Sequence, residues 1–517
     1  MFQKLQNLLI LYLSGNRLEL LLEETRHTNA TTFPNFITLG LGSCNITEFP
    51  SFLRYQKSLR WLELTENGIH GQVPRWMWNV SILSLTVMNI SHNFLSGFDQ
   101  PPDVLLWSGL QLLDLSSNTI QGSLLIPSPS IEYYVVSENK LSGQVLPLIC
   151  NLTSLKYLDL SNNNLSGMLP QCLGKFSNNL RVLHLGNNSF EGHLPEAYTS
   201  SLTMIDVSYN KLQGILPRSL ANCLMLEFLV ISNNEFSDVF PFWLGTLPGL
   251  RLLAMHHNGS HGVIRKPEKN PDHFLQLHIL DLSINNFSGN FPFEYIFSGN
   301  AIKGITSDQF TYLKTTADVV YDPSYHSGYF SFTMTSKGVN RFYPKIREDF
   351  AAIDISSNNF EREIPEFIGD LTGLRLLNMS NNILTGEIPR QLAQISFLAK
   401  FNVCHNILSG LIPRGSQFAT FDSTSYEGNL GLCEDPLPKK CGNDAPPLPP
   451  PTVEEDDSDS GIELDWKFVL AGSVSGMLVG AILADVLLTR KREYFLEIVG
   501  ILIRLTKRKR KNKAWKD

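Results

Sequence analysis

A short pattern of apolar and polar positions recurs along most of the chain. Its clearest copy runs from Leu155 to Pro170 and reads L-x-x-L-x-L-x-x-N-x-L-x-G-x-L-P. Leu158 and Leu160 alternate with variable residues, which predicts a short strand with one buried face. Asn163 follows where the chain leaves the strand, and we expect it to be buried and to bond backbone groups of neighbouring turns. One such unit cannot bury its own apolar face, so the pattern predicts a stack of units.

The asparagine position of the pattern, hereafter the ladder position, marks each unit. It recurs at intervals of 21 to 28 residues, at Asn16, Cys44, Asn67, Asn93, Asn118, Asn139, Asn163, Asn188, Asn210, Asn234, Asn258, Asn285, Asn358, Asn382 and Asn406. The interval from Asn285 to Asn358 is 73 residues, so about 49 residues remain as an insertion after one ordinary period. Fifteen units of this regularity predict an α/β solenoid.

Many units continue past the ladder position with a G-x-(I/V/L)-P tail. The tail occurs at Gly71–Pro74, Gly167–Pro170, Gly192–Pro195, Gly214–Pro217, Gly386–Pro389 and Gly410–Pro413. It is broken where Asp238 and Arg362 replace the glycine. Units with this tail resemble the plant extracellular leucine-rich repeat. The resemblance implies a horseshoe or superhelix in which the tail forms a second short strand on the side of the solenoid.

The insertion separates two blocks of repeats. About 12 turns fill residues 1–292 and three turns fill residues 348–414, with the insertion at 293–347. The insertion is rich in Phe and Tyr, which argues against disorder, and residues 327–336 alternate like a strand. Long irregular insertions are commonly functional. The alternative is a loop that folds back to cover the edge of the solenoid.

The C-terminal part changes character in steps. Residues 415–444 resemble a polar cap, and residues 445–466 form a Pro-rich and acidic spacer. Residues 467–488 are apolar over a length sufficient for one transmembrane helix, with Gly472, Gly476 and Gly480 as a packing stripe. The basic tail at 489–517 predicts a cytoplasmic C-terminus in contact with anionic membrane lipid.

Composition and charge give little indication of chemistry. The 517 residues carry a net charge of −7, which gives no reason to expect a nucleic-acid partner. No phosphate-binding loop or pairing of nucleophile and base is evident, so we expect neither an enzyme nor a cofactor. His256, His257 and His261 lie close together, but without convergent cysteines or acidic residues they do not predict a metal site.

The glycosylation sequons, taken together with the predicted membrane span, indicate a glycosylated extracellular domain. The chain has seven cysteines, an odd number. Cys433 and Cys441 lie close together after the last repeat and predict a disulfide in the cap, and a bridge between Cys150 and Cys172 of adjacent turns is an open alternative. Cys44 is expected to be a buried small residue. Ten N-x-S/T sequons predict glycans at Asn29, Asn45, Asn79, Asn89, Asn151, Asn164, Asn187, Asn258, Asn286 and Asn378.

The order of these segments resembles the plant receptor-like proteins, which are leucine-rich repeat receptors without a kinase domain. A Q-F-x-T-F…G-N-x-G-L-C close, beginning at Gln417, belongs to the resemblance. Two features depart from it: three turns instead of the usual four follow the insertion, and Glu434 replaces a glycine. Because Met1 opens directly into a repeat without a signal peptide or cap, we expect a truncated N-terminus.

The resemblance implies a single-pass plasma-membrane protein of type I that binds an extracellular protein or peptide and signals through a leucine-rich repeat receptor kinase in plant defence. Ligand contacts are expected at strand positions that face solvent and in the insertion, at Asp206, Tyr209, Phe228, Val230, His256, His257, Tyr329, Lys337 and Gly338. Co-receptor contacts are expected at Asp354, Asn378 and Asn402. The alternatives are a developmental peptide receptor, a binder that inhibits hydrolases, and a non-functional fragment.

Overall fold

The computed structural model describes residues 5, 7–16, 33–100, 104–175, 179–265, 274–297, 299, 301–303, 311–313, 332–336, 339–343, 345–415 and 417–441. The chain divides into one unit at 1–444 and a second at 445–517. The predicted spacer, membrane span and basic tail, including Gly472, Gly476 and Gly480, lie outside the described residues. Within the described ranges no helix is long and apolar enough to span a bilayer.

One long parallel sheet runs through the first unit. In the described part of the chain it has fifteen strands, one for each predicted unit, and neighbours follow in chain order. The strands are Ile10–Tyr12, Thr38–Gly40, Trp61–Glu63, Val87–Asn89, Leu112–Asp114, Tyr133–Val135, Tyr157–Asp159, Val182–His184, Met204–Asp206, Phe228–Val230, Leu252–Ala254, Ile279–Asp281, Ala351–Asp354, Leu374–Asn378 and Lys400–Asn402.

The strands place alternate side chains on opposite faces of this sheet. The strand Tyr157–Asp159 is typical: Leu158 is fully buried and belongs to a core that continues from Phe36 to Leu432. Tyr157 and Asp159 lie on the other face, which we call the free face. Burying one leucine contributes about 1.5–3 kcal/mol. The repetition of this contribution in every turn holds the stack together.

The ladder asparagines bond adjacent turns, as the sequence predicts. The Asn163 side-chain Nδ2 donates to the carbonyl oxygens of Val136, Leu160 and Ser161 at 3.0, 3.2 and 3.1 Å. Its Oδ1 accepts from the Leu141 amide at 3.0 Å. The ladder extends beyond the last predicted unit, because Asn429 in the cap donates to the Val403 carbonyl and accepts from the Leu408 amide. The cap therefore adds a fourth ladder asparagine after the insertion.

The burial of Cys44 and the disulfide in the cap agree with the expectations from the sequence. Cys44 is buried at its ladder position, and its thiol faces the Gly42 carbonyl oxygen at 3.4 Å. The predicted disulfide between Cys433 and Cys441 is present. Cys150 and Cys172 also form a disulfide, which joins two adjacent turns.

A second set of short strands follows the ladder positions and forms the side of the solenoid. In the described residues they build one sheet of two and two sheets of six strands. They are His70–Val73, Phe94–Phe98, Gln121–Gly122, Lys140–Gln144, Asn164–Met168, Ser189–Gly192, Lys211–Gly214, Glu235–Phe236, His261–Val263, Asn286–Gly289, Asn359–Glu363, Ile383–Glu387, Ile407–Leu411 and Gly431–Cys433.

The return legs carry short 3-10 helices that begin after a proline or leucine in most turns. Their bounds are Ser51–Tyr55, Arg75–Asn79, Pro147–Asn151, Gln171–Leu173, Arg218–Asn222, Phe242–Thr246, Glu366–Asp370, Arg390–Gln394, Phe418–Thr420 and Ser423–Ser425. A short α-helix spans Phe293–Ile296.

The insertion interrupts the sequence but not the long sheet. Leu280 pairs directly with Ile353, so the strands on either side of the insertion are neighbours. The first residues assigned to the insertion belong to the repeat core, since Phe293, Ile296 and Ile302 are buried in it. Strand Phe332–Ser336, inside the predicted strand at 327–336, pairs antiparallel with Val339–Tyr343.

Candidate functional site

Two segments of the insertion come together on the free face. The Leu313 amide donates to the Ile346 carbonyl oxygen at 2.8 Å, and Tyr312 forms an isolated bridge with Arg347. We call residues 311–313 and 345–350 the island foot. Leu313 and Ile346 are buried and turn toward the sheet beneath them.

The island foot covers an apolar patch of the free face. Leu313 and Ile346 share one cluster with side chains at equivalent free-face positions of seven strands. Those side chains are Val182, Met204, Phe228, Val230, Leu252, Ala254, Ile279, Ala352 and Leu376. Phe228 is only 1% exposed as a result. The described foot of the insertion therefore lies on the strand face of the solenoid.

A carboxylate holds the end of the island foot to the next repeat. Arg347 donates from Nε and Nη2 to Asp349 at 2.8 and 2.7 Å, and Arg375 of the following strand also bonds this carboxylate. Burial opposes ionisation of Asp349, but the two guanidinium groups lower its pKa below the ordinary value. The foot thus ends in a charge-assisted clamp.

The expectation that four of the ligand-contact residues face solvent is wrong. Phe228 and Val230 lie under the island foot, and Asp206 and His256 are also buried, with 7% and 2% of their surfaces exposed. The insertion was expected to lie beside these strand positions, but its described foot covers the apolar patch that includes Phe228 and Val230. Tyr209 is half-buried and His257 is exposed. Tyr329, Lys337 and Gly338 lie outside the described residues.

The three residues expected to contact a co-receptor are buried as well, for a local reason. Asp354 accepts from the amide and hydroxyl of Ser356 at 3.0 and 2.6 Å, and Asn378 donates to Asp354 at 2.9 Å. The Asn402 Oδ1 accepts from the Cys404 amide at 3.1 Å. These side chains shape the end of each strand and are not solvent-exposed, although Asn378 and Asn402 also line a cavity at the last repeats.

The signal for this role is present in the sequence. An acid or amide followed two residues later by serine recurs at strand ends and makes the same pair of bonds each time. The pairs are Asn89–Ser91, Asp114–Ser116, Asp159–Ser161, Asp206–Ser208, Asp281–Ser283, Asp354–Ser356 and Asn378–Ser380. A polar pair repeated in so many turns indicates scaffold, because ligand contacts need not repeat.

Ionisable groups line up along these strand ends. His184 lies between Asp159 and Asp206, with its nitrogens 3.5 and 3.2 Å from their carboxylates. Despite desolvation, the two acids raise the pKa of His184 well above its ordinary value, and the imidazolium lowers the pKa of each acid. These three residues form a charged row of alternating sign on neighbouring strands.

Asp281 and Asp354 form a second group of ionisable side chains, in which two carboxyl groups lie next to each other. Both are fully buried on neighbouring strands. Burial and the adjacent carboxylate raise the pKa of Asp354 to about 7. His256 approaches Asp281 from the other side, with Nδ1 3.2 Å from Oδ2.

Among the described residues, the free face also carries at least two cavities with polar side chains in their lining. One, of about 630 Å³, runs across the N-terminal strands and is lined by Tyr12, Trp61, Glu63, Asn89 and Asp114 among others. The second, of about 370 Å³, lies at the last repeats and is lined mainly by Ser and Asn side chains, including Asn378, Asn381 and Asn402, with Thr424 of the cap. The sequence predicted neither cavity, since each depends on which strand positions carry small residues.

The comparison with known proteins agrees with this geometry. Residues 178–236 match the profile of the family described as Leucine rich repeat, and residues 154–176 and 373–395 match a second profile of that description. Receptor-like protein 54 of Arabidopsis thaliana is 39% identical over 507 residues, which cover 93% of this chain and 62% of that protein. The chain belongs to the plant leucine-rich repeat receptor-like proteins.

A second relative has a similar identity and coverage. Receptor like protein 27 of Arabidopsis thaliana is 37% identical over 532 residues, covering 97% of this chain and 63% of that one. The chain thus spans about three-fifths of the length of these relatives. The ectodomain of the receptor kinase GASSHO1/SCHENGEN3, solved with CASPARIAN STRIP INTEGRITY FACTOR 2, has a TM-score of 0.52 and 23% identity, covering 85% of this chain and 52% of that chain. That similarity shows the shared fold.

The sequons of the receptor-like protein differ in accessibility. Asn45, Asn79, Asn151, Asn164, Asn187 and Asn286 are exposed, and Asn89 is partly buried. Asn378 is 4% exposed and its amide nitrogen bonds Asp354, while Asn258 is a ladder asparagine whose Nδ2 donates to three carbonyls. A glycan on either nitrogen would break these bonds, so glycosylation at Asn258 and Asn378 was a wrong expectation. Asn29 lies outside the described residues.

The three neighbouring histidines point to different partners. His256 contacts Asn233 and Asp281, His257 Nδ1 lies 2.9 Å from the Asn233 Oδ1, and His261 Nδ1 lies 3.2 Å from the Gly259 carbonyl oxygen. In the described part of the protein, His, Cys, Asp and Glu side chains form no group of three that could hold a metal ion.

Proposed function

We propose that this chain is the ligand-binding part of a cell-surface receptor in plant defence, which binds an extracellular, pathogen-derived protein or peptide and signals through a partner receptor kinase. Membership of the receptor-like proteins supports the proposal. Its repeats would lie outside the plasma membrane, anchored by the apolar run at 467–488. The chemistry is binding alone.

The observation that carries the proposal is that the described part of the free face holds an acidic cavity at the N-terminal strands and a separate cavity at the last repeats. The larger cavity lies on the N-terminal strands and is acidic, whereas the smaller one at the last repeats is lined by neutral Ser and Asn groups. The two cavities share no lining residue, because the first ends at Asp159 on the seventh strand and the second begins at Ser283 after the twelfth. A ligand and a second protein could therefore bind at the same time without overlap.

The smaller cavity is the candidate contact for the kinase. Thr424 of the cap is exposed at its edge, beside Asn381 and Ser357 of the preceding turns. Ser and Asn groups offer hydrogen bonds without a net charge that must be neutralised, which suits contact with another repeat protein.

Co-purification of the full chain with leucine-rich repeat receptor kinases from plant membranes tests this proposal. Thr424→Arg adds a long cation at the cavity, and we expect it to reduce the recovered kinase at least tenfold. Thr385→Arg makes the same change at an exposed position on the side sheet and should leave recovery unchanged. Failure of the unmodified chain to recover any such kinase would contradict the proposal. Recovery that rises with a microbial fraction, and not with a plant extract, supports a pathogen-derived ligand.

A further inference from the structure

The larger cavity is a groove that crosses seven strands. Its lining begins at Tyr12 on the first strand and ends at Asp159 on the seventh, and no residue of the island foot contributes to it. Neighbouring strands are about 4.8 Å apart, so the groove is about 29 Å long, which corresponds to about nine residues of extended chain. Its length therefore fits a stretched peptide that lies across the strands.

Two glycines create space at one end of the groove. A Cβ atom on Gly40 would lie 2.4 Å from Cδ2 of Tyr12, and one on Gly42 would lie 2.8 Å from Oε1 of Glu63. Other repeats carry side chains at these strand positions, for example Asp159 and Ser161. The glycines let the Tyr12 ring and the Glu63 carboxylate lie close against the sheet.

The groove is acidic, and one of its carboxylates has an unused oxygen. Four acids line it, and His92 is the one basic residue among the described residues of the lining. Asp114 bonds Ser116, Asp159 bonds Ser161 and lies against His184, and Glu66 accepts from Ser43 at 2.7 Å.

Glu63 differs from these three acids. It is 5% exposed, and its Oε2 has no hydrogen-bond partner in the described part of the chain. The indole Nε1 of Trp61, two residues earlier, also lacks a partner among the described residues. Buried polar atoms are normally hydrogen-bonded. An acceptor without a partner on Glu63 and a donor without a partner on Trp61 therefore point to a ligand that offers both a cation and a carbonyl oxygen.

We propose that this groove binds an extended extracellular peptide and that Glu63 pairs with an arginine or lysine side chain of that peptide. Trp61 donates its N–H to a backbone carbonyl of the peptide, and the Tyr12 and Trp61 rings flank the cation. The acidic lining attracts a basic ligand and disfavours an acidic one. The inference rests on the proposed function in taking the ligand to be an extracellular peptide, and it adds the ligand's chemical class.

Fluorescence anisotropy of labelled peptides with the full chain in detergent micelles tests the inference. The probes are (Gly-Arg)4-Gly and the uncharged (Gly-Gln)4-Gly, at about 0.15 M salt, where long-range attraction to the net negative chain is largely screened. We expect the arginine probe to bind at least tenfold more tightly. Glu63→Gln should weaken it about tenfold and Trp61→Phe about threefold, while Glu361→Gln, on the exposed side sheet, should leave it within twofold.

Equal binding of the two probes, or equal affinities of Glu63→Gln and Glu361→Gln, would overturn the inference. If Glu63→Gln does not fold, Thr65→Lys places a cation in the same groove and should weaken the arginine probe about tenfold. The assay contains no kinase. Peptide binding without kinase recovery would thus refute the proposed function alone, and kinase recovery without a Glu63 effect would refute the inference alone.

Discussion

At the scale of single residues, backbone conformation is repeated more faithfully than sequence. Arg362 stands where other units have the tail glycine, yet its φ of 71° remains in the left-handed region, close to the 76° of Gly386 in the next unit. A residue with a Cβ atom is strained there by about 1–2 kcal/mol. The stack imposes the turn even where the sequence does not favour it.

Arg362→Gly should therefore stabilise the protein by about 0.5–1 kcal/mol, since relief of strain exceeds the entropy cost of a glycine. Thermal unfolding of the full chain measures the change. Glu361→Gly, one residue earlier in the same strand and without a positive φ, should lower the unfolding temperature. A decrease in both variants would show that Arg362 is not strained.

The burial and bonding of residues at the template positions could be predicted from the sequence. The role of the polar residues between them could not. Asn163 and Leu158 behave as expected because each turn repeats the same environment. Asp206 and Asp354 were interpreted as contacts because their position on the free face was read without the serine two residues later. The recurring Asp-x-Ser pairs were visible in the sequence and indicate a strand-end bond.

At the scale of elements, the island foot is the feature that the repeat pattern leaves undetermined. Periodicity predicts the fifteen strands, since each is local and repeated. The pairing of 311–313 with 346–348 joins segments more than thirty residues apart that occur once. No period signals such a contact, and for this reason the burial of Phe228 and Val230 was missed.

Whether the bonds of Asp349 to Arg347 and Arg375 hold the island foot in place can be tested. Asp349→Asn removes the charge that bonds Arg347 and Arg375, and we expect a loss of about 1–3 kcal/mol in local stability. Because its folded pKa is lowered, this contribution is present above the ordinary carboxyl pKa and is lost as the pH falls below it. The readout is the rate of limited proteolysis between residues 311 and 349, compared with Asp370→Asn, an exposed acid on a return leg. Equal rates in the two variants would mean that the clamp does not hold the foot.

At the scale of the whole molecule, the buried acids of the free face predict how stability depends on pH. The raised pKa of Asp354, about 7, means that the folded protein holds a proton that the unfolded chain releases near 3.8. The contribution of Asp354 to stability is thus fully present below that unfolded value and falls by up to about 1.4 kcal/mol per pH unit until the pH passes about 7. The raised pKa of His184 acts in the same direction at higher pH.

Unfolding temperatures of the full chain between pH 4 and 8 measure this dependence. Asp354→Asn keeps the acceptor for Ser356 and removes the titrating group, so its profile should be flatter over this range. Asp370→Asn should follow the unmodified chain. A parallel decline in Asp354→Asn and the unmodified chain would exclude Asp354 as the cause.

The continuity of the long sheet across the insertion has a consequence for diversification and engineering. Because Leu280 and Ile353 are neighbours in the sheet, the strands on either side of the inserted segment pair directly with each other. A replacement segment would not need to preserve repeat register. It would need to bring its own equivalents of Leu313 and Ile346, since without them Phe228 and the apolar patch around it would face water. The insertion can therefore vary freely at its tip but only conservatively at its base.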